Sequence, residues 1–463
     1  MPMVNERRVS YGAVRIHEPM SEEPGSLPPQ PALPTRTFLL GFDRIVRALF
    51  RIEESGLPER VPRPCLIVAN HRRDADIPIL GAFLGRRRGV RITGVLPHFI
   101  AREDLFEPGF LWHYWCSPWL VLPRLVSPAI PLARIMRAFK AHPIHRIPEQ
   151  SLAIVLADLR RYLGERRLEA VLNRWWAARL AAAGVDLAQP ISWLLRRERQ
   201  FGSLVGGGWG HRRLNLETFR EFKPIERARI ADHLAVFARA LANGEAVMVA
   251  PEGANSPDGY FQRPRAGPFA LVRGAEPMLP VLPVGIAYDP TLGRRLRVFV
   301  HAGPTFSAGD HATRRDFDDA VASAILRATT VTGSHLAAHL VLRTKSGEAV
   351  TADNFVQLSN ELGGALSASG LRVAPDADVE PLRRLAWFAR AGLLVSKGSV
   401  FVRSMMQEPA PGWGSRAALA VFLRNELASV ASLAPSVASA YELPQPPYIP
   451  CISPGSGAAG SCA

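Results

Sequence analysis

Lysine is nearly missing from these 463 residues: Lys140, Lys223, Lys345 and Lys397 are all there is, although the formal net charge is +15. Arginine therefore carries almost all the basic charge. Its planar fork suits bidentate contacts to phosphate, and the imbalance points to nucleic acid, a lipid surface or a phosphorylated substrate. Arginine-biased codon usage gives the same balance, so charge alone does not choose. Cysteine is sparse too. Cys65, Cys116, Cys451 and Cys462 have neither metal-ligand spacing nor the density of a disulfide framework, which fits a reducing, intracellular setting. No stretch offers the roughly 18 uninterrupted apolar residues of a spanning helix. The nearest, 106–132, is broken by five prolines and Arg124. Its Trp112, Tyr114, Trp115 and Trp119 suit a membrane–water boundary and equally an ordinary core. There is no G-x-S-x-G elbow, which weakens a serine-hydrolase reading. No nucleic-acid motif accompanies arginine runs such as RRERQ at 196–200, so they read as solvated helix faces.

What is present reads as alternation. Residues 1–37 lack the apolar core of a signal peptide and carry a Pro/Glu/Ser-rich piece, so a disordered tail is expected. Phe38, Phe42, Ile45, Leu49 and Ile52 recur at helical spacing, giving either a membrane-surface helix or the first packed helix. Short apolar runs then predict strands at Leu66–Ala69, Arg91–Leu96, Pro143–Ile147, Ala246–Ala250, Leu279–Ala287 and Arg297–Val300. With helical stripes between them, such as Ile230, Leu234, Phe237 and Leu241, they make an α/β domain over about 60–305. A domain at 38–310 is expected, interrupted by a helical insertion at about 150–225. An all-helical region at 311–442 follows, then a disordered tail at 443–463.

One strand ends abruptly. After Leu66-Ile67-Val68-Ala69 come Asn70-His71-Arg72-Arg73-Asp74-Ala75-Asp76. Five steps turn a regular helix by about 140°, so His71 and Asp76 share a face only if a strand-to-helix turn lies between them. Two readings stand at this point. Asp76 caps a helix that tolerates Pro78 in its first turn, or Asp76 orients His71 as a general base. A second strand ends in Pro251-Glu252-Gly253, where glycine permits close backbone approach. Glu252 and Ser256 there can orient a hydroxyl, and Arg263 and Arg265 follow. HPIHRI places Arg146 at a third strand end, and VLPVGI is a fourth, buried strand. His335 and His339 in HLAAH have metal spacing, but Leu336 replaces the glutamate of a zinc protease.

Taken together and in this order, NHRRDAD, PIHR, VAPEGANS and VLPVGI resemble the four blocks of the phospholipid/glycerol acyltransferase family. His71 and Asp76 match its HxxxxD motif, and Asn70 precedes it as in lysophosphatidate acyltransferases. Arg146 falls on the arginine of the second block. RPRAGPFALV is similar to the segment joining the third and fourth. The resemblance covers about 60–305. It implies a mixed α/β sheet flanked by helices and O-acyl transfer at the cytoplasmic face of a membrane, the protein being peripheral. The donor is acyl-CoA or acyl-carrier protein as co-substrate, without cofactor, metal or nucleic acid. The implied acceptor is a lysophospholipid, most directly 1-acyl-glycerol-3-phosphate. Glycerol 3-phosphate is the alternative, favoured by length and by a C-terminal region similar to that of glycerol-3-phosphate acyltransferases around Arg424-Asn425. A non-catalytic lipid-binding relative is a further alternative, because Ala254-Asn255 replaces the usual Thr-Arg. Arg72 and Arg73, or Arg263 and Arg265, are candidates for the phosphate contact that this departure removes.

Overall fold

The computed structural model describes residues 33–85, 87–88, 91–92, 94–102, 140–144, 151–205, 210–274, 278–293, 295–398 and 400–451. Among these residues eight strands form the main sheet: β1 Phe50–Ser55, β2 Cys65–Ala69, β3 His98–Arg102, β4 Ala141–Ile144, β5 Ala246–Val249, β6 Pro280–Asp289, β7 Leu296–Ala302 and β8 Phe306–Ser307. Their order is β1-β7-β6-β2-β5-β3-β4, with β8 on β6. The β6–β7 and β6–β8 pairings are antiparallel and the rest parallel. β2 is apolar and buried at every position, as a central parallel strand covered on both faces should be. Ile67 is level with Met248 on β5 and Leu282 on β6. The turns after β2 and β5 therefore open at one edge, the usual crevice of an open α/β sheet.

Alternate residues feed two cores, as the period of two requires. Cys65, Ile67 and Ala69 join a cluster with Val46 of α1 (Leu33–Leu49) and Ile79 and Phe83 of α2 (Asp76–Leu84). Leu66 and Val68 join a larger one on the opposite face. That face holds α3 (Leu216–Ala242), α4 (Ala266–Arg273), α5 (Arg314–Ala328), α6 (Gly333–Arg343), α7 (Ala352–Ala368), α8 (Pro381–Ala389) and α9 (Arg416–Ala431). The same cluster runs from Leu66 to Phe422, so the core does not divide near residue 310. A buried ion pair ties the two parts as well: Arg384 Nη1 lies 2.9 Å from Asp289 Oδ1 at the end of β6. Before α3, the helices Leu152–Leu163, Leu168–Val171, Arg174–Ala182, Ile191–Arg196 and Glu198–Val205 enclose a small core of their own.

Several expectations need correction. The helix expected to Ile52 ends at Leu49, and Phe50–Ser55 leaves as β1, because pairing with the β7 edge overrides the helical period. In the run expected at 91–96, Arg91–Ile92 is the only strand among the described residues and pairs antiparallel with Arg87–Arg88; the sheet strand starts after Pro97. β4, Ala141–Ile144, begins two residues before the expected start, and residues 145–147 of the expected strand lie outside the described residues. The region after 311 is not all helical. Leu394–Lys397 and Val400–Arg403 pair antiparallel, and the latter also pairs with Ala349–Val350. Lys397 opposite Val400 leaves a two-residue connection containing Gly398 at φ +66°, the positive φ that hairpin turns demand. Nor is 443–463 all tail. Leu443 and Tyr448 pack on the larger core, and the Tyr448 hydroxyl donates to Asp319 at 2.6 Å. Residues 1–32 and 452–463 lie outside the described residues.

The glycine of VLPVGI has a concrete reason. A Cβ on Gly285 would stand 2.3 Å from the Ala328 carbonyl carbon and 2.4 Å from Thr329 N, so β6 and the end of α5 touch backbone to backbone. Gly285→Ala should cost about 1–3 kcal/mol of unfolding free energy, as overpacking does. Chemical denaturation checks this; an unchanged midpoint would refute the close approach.

Candidate active site

The site begins with the residue that ends β2. The Asn70 amide donates from Nδ2 to the Ile286 carbonyl at 2.8 Å, and Ile286 N–H donates to Asn70 Oδ1 at 2.7 Å. A side chain thus adds one more rung to the β2–β6 ladder and fixes where the turn starts. His71 follows.

Asp76 does not cap α2. It is the helix's first residue, Ala75 before it is in the right-handed region, and no side-chain cap is made. Its carboxylate turns back instead. Oδ2 accepts from His71 Nδ1 at 3.0 Å, from Arg73 N–H at 2.9 Å and from Arg72 N–H. Oδ1 accepts from the Tyr288 hydroxyl on β6. Burial, then the Asp76 charge, pushes the Tyr288 phenol well above its ordinary value and keeps it a donor. With Nδ1–H given to a carboxylate, the histidine proton sits on that nitrogen and Nε2 keeps its lone pair. His71 is 9% exposed and Asp76 only 1%. A nearly dry imidazole with one basic nitrogen is what proton abstraction needs.

A second layer holds the turn. Glu252 accepts His71 N–H at 3.3 Å and Gln262 N–H at 2.8 Å, and the Arg72 Nη1 lies 3.7 Å from its Oε2. Arg72 Nε donates to Glu426 Oε1 on α9 at 2.9 Å. Glu426 Oε2 meets His335 Nε2 at 3.1 Å, and His335 Nδ1 accepts Thr332 N–H at 2.9 Å. The accepting Nδ1 makes Nε2 the donor. Burial raises the Glu426 carboxyl, but Arg72 and His335 outweigh it and hold it below the usual range. At Glu252 burial wins over the more distant Arg72 and the two backbone donors, and the carboxyl is raised. Burial opposes the Arg72 charge, yet Glu426 and Glu252 together raise its pKa, so it stays a cation.

Several residues expected at the substrate are accordingly turned inward. The Arg72 and Glu252 side chains are both fully buried and support the His71 turn, while Arg72 Nη1 and Nη2 make no hydrogen bond among the described residues. The Ser256 hydroxyl accepts Gly259 N–H and donates to the Tyr260 carbonyl, both at 2.9 Å, while its own N–H donates to the His71 carbonyl at 2.9 Å. It ties two turns together, with its proton committed to Tyr260 and its side chain buried. Gly253, at φ +78°, makes room for the Arg265 stem: a Cβ there would lie 2.9 Å from Arg265 Cγ. Arg73 lays its guanidinium 4.4 Å from the Trp413 ring centroid. Arg263 and Arg265 are exposed. Arg146 and the aromatic segment 106–132 lie outside the described residues.

Tyr288, Trp413, His335 and Glu426 were not foreseen. Tyr288 had a signal in the strand continuing past VLPVGI. Glu426 adjoins the Arg424-Asn425 pair already singled out, and Asn425 Nδ2 donates to the Asp258 carbonyl at 2.9 Å. In HLAAH, His335 shows only the spacing of a metal ligand.

No protein-family model and no curated protein matches the sequence. Among solved structures, the 1-acyl-sn-glycerophosphate (LPA) acyltransferase PlsC from Thermotoga maritima is similar at 16% identity, over 62% of this chain and 76% of that one, with a TM-score of 0.30. At that score the likeness decides nothing about chemistry. Among the described residues, no helix is long and apolar enough to cross a membrane.

Proposed function

We propose that the chain is an O-acyltransferase acting on a lysophospholipid, most directly 1-acyl-glycerol-3-phosphate, with acyl-CoA or acyl-carrier protein as donor. One observation carries the reading: His71 Nδ1 is bound to Asp76 at 3.0 Å, at the crevice edge of a mostly parallel sheet. Nε2 of His71 takes the acceptor's hydroxyl proton as that oxygen attacks the thioester carbonyl. The tetrahedral adduct collapses, the C–S bond breaks, and the departing thiolate takes the proton back from the imidazolium. One ester and one thiol result. Asp76, held by three other donors, keeps the ring oriented and stabilises its positive form. The four blocks in sequence order support the acceptor class. The reaction takes place at the cytoplasmic face of a membrane.

A crossed panel tests the reading: acyl-CoA and acyl-carrier protein against lysophosphatidate, other lysolipids and glycerol 3-phosphate. Lysophosphatidate should give the highest kcat/KM. A higher value for glycerol 3-phosphate would move the acceptor, and anionic vesicle binding without transfer to any acceptor would make this a lipid-binding relative.

A further inference from the structure

Arg263 and Arg265, just before α4, and Arg314 and Arg315, the first two residues of α5, line one cavity of about 430 Å³ with Pro264. No carboxylate is among its lining residues. The cavity is an open depression walled by charge, so a ligand would be held there by the guanidinium groups and not by apolar enclosure. Two arginines in a first helical turn oppose the helix dipole, which favours anions there by about 0.3–1 kcal/mol each. Their counter-charges lie one turn on, with Arg314 Nε 3.3 Å from Asp318 and Arg315 Nε 3.9 Å from Asp319. Asp319 also accepts the Tyr448 hydroxyl. All four guanidinium side chains remain exposed, so the cavity presents more positive charge than these neighbours offset.

The cavity adjoins the catalytic turn. Arg265 Nε lies 3.4 Å from the Glu252 carbonyl, and the Glu252 carboxylate holds His71 N–H. The arginine cluster therefore runs from the segment that carries Glu252 to the first turn of α5.

Given the transferase reading, we infer that this cavity binds the phosphate-bearing end of a nucleotide-type acyl donor. The number of charges selects it. A single acceptor phosphate is satisfied by one or two bidentate guanidinium contacts and would leave the others facing one another. A donor carrying several phosphates engages all four. Arg265 reaches the phosphate nearest the thioester, and Arg314 and Arg315 those further out.

Titration calorimetry with adenosine 3′,5′-bisphosphate, and separately with glycerol 3-phosphate, tests this on the full chain and on the Arg314→Ser/Arg315→Ser variant. Native protein should bind the bisphosphate and the variant at least about tenfold more weakly, since two charge-assisted contacts are lost. Glycerol 3-phosphate binding should not change, and the KM for acyl-CoA should rise by a similar factor with the acceptor KM constant. Arg314→Lys/Arg315→Lys should recover part of the binding. No binding of the bisphosphate to native protein, or equal binding by the serine variant, overturns the assignment. Loss of glycerol 3-phosphate affinity instead would make this the acceptor's cavity. Loss confined to anionic vesicles would make it a lipid-surface patch. The binding arms need no turnover: a native chain that binds the bisphosphate through these arginines but transfers nothing refutes the transferase reading and leaves the cavity standing.

Discussion

His71→Ala should lower acyl transfer by about 10²–10⁴, the usual loss when a general base is removed. The change is confined. The side chain's hydrogen bond is to Asp76, and in the variant that carboxylate keeps Arg72 N–H, Arg73 N–H and the Tyr288 hydroxyl. Stability and circular dichroism should therefore stay near native while the rate collapses. Tyr288→Phe separates orientation from base chemistry. It removes one donor to Asp76 without touching His71, so it should cost less than His71→Ala. Steady-state rates with folding checks decide this. A Tyr288→Phe loss equal to that of His71→Ala would move the phenol from support to chemistry.

Glu426→Ala should cost about 3–5 kcal/mol of unfolding free energy, the penalty for stranding a buried charge. Arg72 and Glu426 are both buried, and the remaining partner, Glu252, stands 3.7 Å away and already serves two backbone donors. The double variant Arg72→Leu/Glu426→Leu should recover much of this, because an apolar pair removes both charges. The pH dependence follows from the depressed Glu426 carboxyl. Its folded pKa lies below the unfolded value of about 4.3, so its contribution is complete above the unfolded pKa and is lost as pH falls through the folded one. Native protein should lose its advantage over Glu426→Ala below about pH 4, in urea titrations run across pH. A pH-independent difference would contradict the pairing.

The sheet was largely legible because its buried strands are continuous apolar runs. Leu66–Ala69, Ala246–Ala250 and Arg297–Val300 fall within two residues of the observed strand ends. β1 was not, since a strand written with Glu53 and Glu54 follows a helical stripe and exists only through its neighbour β7. The hairpin at Leu394–Arg403 carried a Gly-Ser turn signal among helical patterns. At the site, His71 and Asp76 could be paired from spacing plus the strand-to-helix turn, although spacing alone left the helix cap open. The roles of Arg72, Glu252 and Ser256 were not readable. Whether a polar residue beside a catalytic turn faces substrate or protein depends on partners far along the chain, here Glu426, 354 residues from Arg72. The cavity needed the same long-range juxtaposition, because Arg314 and Arg315 reach Arg263 and Arg265 only once α4 and α5 pack on the sheet.

The most direct measurement counts both products at once. Purified full-length protein is supplied with acyl-CoA and lysophosphatidate, and free thiol and new ester are quantified beside the His71→Ala variant. Ester and thiol should appear one to one with the native chain, with the variant slower by about 10²–10⁴. Equal rates for the two proteins, or thiol released without ester, would contradict a His71-driven transfer.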